Sequence, residues 1–195
     1  PVTVMAEPII EVGIIEQFDY DIVHIGFSPT GEMILAEEEG LLRVGTWINE
    51  DFTETWNIDV NSTILAISVD FNGGFIAVGL DDGVHFINTN TQTISGSIET
   101  ILPVQSLSWD ADGDLWVGHH GGNQRRAVEY DTNGASGSET GVITTPHGSS
   151  MTTFAILSDG RIVTGGNDRI VKIHLTNGVV LKEHTSLSGA PTKMI

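Results

Sequence analysis

The side chains able to carry charge, move a proton or hold a cation gather in short turns of this chain. Three carboxylates fall within five residues at Asp110-Ala-Asp-Gly-Asp114, and a hard cation such as calcium takes about six to eight oxygen ligands from runs of this kind. The run lacks the full D-x-[DN]-x-[DN]-G order and a bidentate Glu at the required distance downstream. A solvated hairpin turn is therefore the better reading, and no metal is expected. His119 and His120 are adjacent, and neighbours on an extended strand point to opposite faces, so the pair does not chelate one ion. Arg125 and Arg126 form the only adjacent basic pair, suited to bidentate capture of a carboxylate or phosphate or to neutralising nearby acids. No Ser–His–Asp elbow, Walker loop, H-E-x-x-H or dinucleotide fingerprint occurs. No catalytic residue is assigned, and an enzyme is the lesser expectation.

The elements that hold these turns repeat. His24-Ile-Gly-Phe-Ser-Pro-Thr-Gly31, Leu65-Ala-Ile-Ser-Val-Asp-Phe-Asn-Gly-Gly74, Ser106-Leu-Ser-Trp-Asp-Ala-Asp-Gly113 and Thr153-Phe-Ala-Ile-Leu-Ser-Asp-Gly160 open four similar units. Their turn glycines Gly31, Gly74, Gly113 and Gly160 are spaced by 43, 39 and 47 residues. Each unit continues with apolar runs such as Met33–Ala36, Leu41–Val44 and Phe52–Ile58, rich in Ile, Val, Leu, Phe and Trp. Runs this short suit strands and are too short for helices. Glycine at the turns supplies the positive φ that a tight hairpin needs. Four short strands per unit cannot bury both faces alone, and at this period the usual solution is a ring of stacked blades.

Trp109-Asp-Ala-Asp-Gly-Asp-Leu-Trp-Val-Gly118, closing with Tyr130-Asp131, resembles the repeat of two-component regulator propellers. Phe27-Ser-Pro-Thr-Gly31 and Gly165-Gly-Asn-Asp-Arg-Ile-Val-Lys-Ile173 resemble WD-repeat blades. The resemblance covers residue 23 to about residue 183 and points to the β-propeller superfamily. It implies a scaffold whose rim loops bind proteins, peptides or small ligands. The expected fold is all-β, a propeller of about four complete four-stranded antiparallel blades with partial strands at either end. The blades are expected at about 21–60, 61–102, 103–148 and 149–186, with a partial blade in 1–20 and the start of another in 187–195. An open piece of a larger ring is expected, so missing blades of a parent chain count among its partners. The first residue, Pro1, fits that reading.

In such a ring the turn between the second and third strands shares a rim with the connections between blades. That places Glu37, Glu38, Glu39, Asp81, Asp82, His119, His120, Arg125, Arg126, Asp168 and Arg169 in one arc, which is the expected binding surface. Local capping of turns competes with that role. Trp47, Trp56, Trp109 and Trp116 are expected in the core, where aromatic rings fill the wedge between blades.

Composition bounds the partners. Of 195 residues, 39% are apolar and 17% charged, which supports a real core and argues against disorder. Twenty-six acidic residues against eight Lys and Arg give a formal charge of −18, which repels nucleic acid and anionic bilayers. The acid excess suits a saline habitat or a cationic partner. No cysteine is present, which excludes disulfides and thiolate chemistry. No apolar run is long enough to span a bilayer, and no signal peptide is expected in these residues. The leading expectation is a non-enzymatic, acidic binding scaffold without a cofactor. A propeller enzyme of the quinoprotein dehydrogenase or lyase kind, or the sensory propeller of a receptor, is the alternative.

Overall fold

The computed structural model describes residues 20–48, 51–119, 126–144, 147–185 and 187–191. These form sixteen strands and no helix, in four separate four-stranded antiparallel sheets. Sheet one holds β1 (Ile22–Phe27), β2 (Met33–Glu37), β3 (Leu41–Ile48) and β4 (Asp51–Asp59); sheet two holds β5 (Ala66–Val69), β6 (Phe75–Gly79), β7 (Gly83–Asn88) and β8 (Thr93–Glu99). Sheet three holds β9 (Val104–Trp109), β10 (Leu115–His119), β11 (Arg126–Thr132) and β12 (Gly137–Thr144); sheet four holds β13 (Met151–Ile156), β14 (Ile162–Gly166), β15 (Val171–His174) and β16 (Val180–His184). Every sheet pairs its strands in chain order. Of the partial blade expected in 1–20 all but Tyr20 lies outside the described residues, and of the start of a blade expected in 187–195 only residues 187–191 are described.

The first strand of each sheet packs beside the first strand of the next, β1 against β5, β5 against β9 and β9 against β13. The sheets therefore radiate from a line of inner strands, and side chains of both faces are used. Ile76 and Val78 face sheet one, where they meet Ile34, Leu42 and Val44. Ala77, one residue between them, faces sheet three with Phe86, Leu115 and Val117. In β10 the same alternation sends Leu115 and Val117 to sheet two and Trp116 to sheet four, where it meets Phe154 and Ile162. Strands buried on both faces lose polar alternation, which explains why β6 and β10 read as unbroken apolar runs. The outer strands β4, β8 and β16 are largely exposed.

Four equivalent turns set the repeat. The N–H groups of Gly31, Gly73, Gly113 and Gly160 donate to the carbonyls of Ser28, Asp70, Asp110 and Leu157, and all four glycines have φ between 71° and 93°. In the second unit the left-handed residue is thus Gly73, and the sequence marker Gly74 stands one residue late, because a Gly-Gly pair offers two positions with equal freedom. Trp47 also departs from expectation. It is 37% exposed, since β3 and β4 run on together past their neighbours and pair Trp47 only with Phe52 across the ribbon.

Gly96 on β8 is where the outer edge of sheet two meets the β11–β12 turn of sheet three. A Cβ added there would overlap the Ala135 carbonyl oxygen, a backbone atom that has no rotamer to move. Gly96→Ala is expected to cost about 1–3 kcal/mol as overpacking, read as a lowered urea midpoint with unchanged m-value.

Candidate functional site

The rim formed by the second-to-third-strand turns is tied to the connections between sheets by backbone hydrogen bonds. Val60 N–H donates to Gly40 O at 3.0 Å, Thr100 N–H to Asp82 O at 2.8 Å, Val104 N–H to Leu80 O at 3.0 Å and Asn167 N–H to Ser150 O at 2.9 Å. Turn and connection thus form one layer in sheets one, two and four. Glu38, Glu39, Asp81, Asp82 and Arg169 are exposed on it. Arg169 sits at φ 63°, held by its N–H donating to Gly166 O at 3.0 Å. His120 and Arg125 lie outside the described residues.

The other residues of the expected arc turn inward. Glu37 closes β2 and is fully buried; its Oε1 receives Arg43 Nε at 2.5 Å, and Arg43 reaches Glu54 with Nη1 at 2.6 Å. Burial acts to lower the Arg43 pKa, but the two carboxylates outweigh it and hold the guanidinium above its ordinary value. His119 closes β10, 1% exposed, with Nδ1 3.3 Å from Leu102 O. Burial, followed by the charge of Arg126, pushes its pKa down. Arg126 opens β11 opposite it, half-buried.

Asp168 anchors a buried relay. Its carboxylate accepts from His147 Nδ1 at 3.0 Å, from Gly148 N–H at 3.0 Å and from Ile170 N–H at 3.2 Å. His147 Nε2 lies 2.8 Å from Thr164 Oγ1, which lies 2.8 Å from His174 Nε2. Both imidazoles have lowered pKa values, chiefly through burial. A neutral His147 that donates to Asp168 must accept at Nε2, so Thr164 donates there and accepts from His174. One proton direction satisfies the chain.

The order hydroxyl, imidazole, carboxylate is that of an activated nucleophile. Thr164, however, is wholly buried and its oxygen already takes the His174 N–H, so the relay locks a turn and presents no hydroxyl to a substrate. His147, Thr164 and His174 were not singled out from the sequence. The cue available was a Pro-His-Gly triplet opening the fourth unit, and only the fold brings it to Asp168.

On the opposite rim, Asp110, Asp114 and Glu129 bring three carboxylate oxygens within 4.8 Å of one another. Glu129 joins because β10 and β11 pair Trp116 with Glu129, a proximity that ligand spacing along the chain does not reveal. Asp110 Oδ1 accepts the N–H groups of Asp112 and Asp114 at 3.0 and 2.9 Å, and Oδ2 accepts the Trp116 indole N–H at 3.3 Å. Asp114 and Glu129 have raised pKa values, from burial first and neighbouring carboxylates next, with Thr140 and Trp116 hydrogen bonds opposing the rise at Glu129. These three are the described residues that could hold a metal, with Asp110 mostly committed to its own turn.

No family model matches the sequence, and no curated protein matches it. Solved structures do. A chain of the mitotic checkpoint complex aligns over 91% of this chain and 55% of its own length, at 22% identity and TM-score 0.70. The Kuenenia stuttgartiensis hydrazine synthase aligns over 88% and 52%, at 17% identity and TM-score 0.71. The β-propeller domain of Myceliophteria thermophila Cps50 (Swd1) aligns over 87% and 57%, at 10% identity and TM-score 0.71. This chain has the β-propeller fold. Its four sheets are propeller blades, and the chain spans about half the length of the structures it matches. No helix among the described residues is long and apolar enough to cross a membrane.

Proposed function

We propose that this propeller segment is a non-enzymatic binding scaffold that presents the rim of its second-to-third-strand turns to a protein or peptide partner. The observation that carries the reading is the pairing of exposed acids with a fixed base. Glu38, Glu39, Asp81 and Asp82 project from turns whose backbones are bonded to the neighbouring connection, so the carboxylates are displayed at little entropic cost on binding. Their charge, on a chain of −18, selects a basic surface and speeds its encounter.

We further propose that additional blades of a parent chain complete the ring. Val23, Ile25 and Phe27 on β1 are 40%, 46% and 61% exposed, on the face away from sheet two. Apolar faces of this kind are what a propeller blade covers in its neighbour.

Neutralising Glu38, Glu39, Asp81 and Asp82 together, as Gln and Asn, is expected to weaken binding to Lys- and Arg-rich peptides on an array by about tenfold while the melting curve stays in place. The comparison protein neutralises four exposed acids elsewhere, Asp51, Asp112, Asp131 and Glu139. Equal loss in both proteins would mean that the rim has no special role.

A further inference from the structure

The lower end of the interface between the second and third blades is left open, on the rim opposite the one proposed above. A cavity of about 260 Å³ lies there, between the β5–β6 turn, the β9–β10 turn and the β11–β12 turn. Three aromatic side chains, Phe71, Phe75 and Trp109, line it among polar ones. Trp109 is fixed by its indole N–H, which donates to Ser68 O at 3.3 Å, and by Phe86, whose ring centre is 6.0 Å away. Phe75 is covered on one side by Gly134, whose φ of 76° lets the turn lie against the ring; a Cβ at Gly134 would strike it. Phe71, 64% exposed, stands at the mouth.

Two carboxylates complete the site, and no Lys or Arg lines it. Asp70 uses one oxygen to accept Phe75 N–H at 3.2 Å. Asp112, exposed on the facing turn, accepts no hydrogen bond from a described residue. An anion is repelled from such a cavity, and a neutral apolar guest leaves both charges uncompensated. A bare metal ion needs several converging oxygens, and of the lining oxygens Thr132 Oγ1 already accepts the Gly134 N–H and Asn133 Oδ1 those of Ala135 and Ser136. A cation wrapped in methyl groups satisfies both walls at once, its charge facing the carboxylates and the ring faces, its carbon surface filling the wedge.

We propose that this interblade cavity binds a quaternary ammonium group. The inference is independent of the rim proposal, which concerns other residues on the other side of the ring. Its test uses the full chain labelled with ¹⁵N, with the Trp109 indole N–H resonance assigned from Trp109→Phe and followed by NMR. Choline is expected to shift that resonance saturably, and its uncharged carbon isostere 3,3-dimethylbutan-1-ol to bind about tenfold more weakly. Phe71→Ala and Asp112→Asn, both exposed and outside the core, are each expected to weaken choline about fivefold or more without moving the melting temperature. Nε-trimethyl-lysine amide distinguishes the source. Tighter binding than choline would support the site with a modified peptide as its guest, and weaker binding would support it with a small molecule. Equal affinity for choline and the isostere, an unmoved Trp109 resonance, or a response that follows ionic strength alone and is unchanged in both variants would overturn the proposal.

Discussion

Replacing Arg43 by Met is expected to destabilise the protein by about 3–5 kcal/mol, because it strips the partner from a fully buried carboxylate. Glu37 has no exposed surface, and its Oε1 meets Arg43 Nε at 2.5 Å while its Oε2 has no hydrogen-bond partner. An ion pair of this kind gains little over a pair of apolar side chains, since desolvation cancels most of the attraction; the damage comes from leaving one charge behind. The double variant Arg43→Met with Glu37→Leu is therefore expected to recover most of the loss. Glu54, the second partner, is partly exposed and offers less, although Arg43 and Asn57 together overcome its burial and hold its pKa low. Urea unfolding of the wild type, both single variants and the double variant forms a closed cycle. A double variant as unstable as Arg43→Met would show that the blade needs Arg43 for packing and not for charge.

Acidification from pH 7.5 to pH 5 is expected to leave the fold's stability unchanged down to about pH 6.5 and to weaken it below that, through His119, His147 and His174. All three have folded pKa values below the 6.5 of a free imidazole, with burial as the largest cause. The unfolded chain therefore takes up protons near pH 6.5 before the folded chain does, so this stability is fully present above that pH and is lost as the pH falls. Each histidine contributes at most about 1.4 kcal/mol per pH unit. The geometry of the fourth blade gives the reason. A second proton on His147 would sit at Nε2, facing the Thr164 hydroxyl hydrogen, and one on His174 would place a buried charge near His147 and Lys172. Glu54, with its lowered pKa, adds a loss of the same sign in the carboxylate range below this window. Asp114 and Glu129, with raised values, are relieved on protonation and oppose it at the acid end. His174→Gln keeps a donor toward Thr164 without a titrating group and is expected to flatten the slope by about a third. An unchanged slope in His174→Gln, measured by urea midpoints at pH 7.5, 6.0 and 5.0, would remove that residue from the account.

The repeat was legible because each blade places glycine where a three-residue-apart turn bond requires a left-handed backbone, and this constraint survives when surrounding residues differ. Alternation was less legible. Both faces of β6 and β10 are covered, so nothing in their sequence separates the face toward one neighbour from the face toward the other. The rim was half legible. Short turns displayed Glu38, Glu39, Asp81 and Asp82 as their lengths implied, while Glu37 and His119 are the last residues of their strands and are buried. The relay through Asp168 and the cluster around Glu129 depend on approaches across 21 and 15 residues, and local spacing carries no record of them. The interblade cavity was hidden for the same reason, since Phe71, Trp109 and Asp112 share no pattern until two blades are set side by side.

The arrangement of the cores has one further effect. Among the described residues, blade two packs chiefly against blades one and three, and blade three against blades two and four, so cohesion passes along the row as it does along a line of coupled spins. Among the described sheets, the two interior ones are braced on both faces and the two outermost on one. Opening therefore starts at an end and advances inward, and any module that adds itself to a terminal sheet raises the cooperativity of the whole row and not merely its own local order.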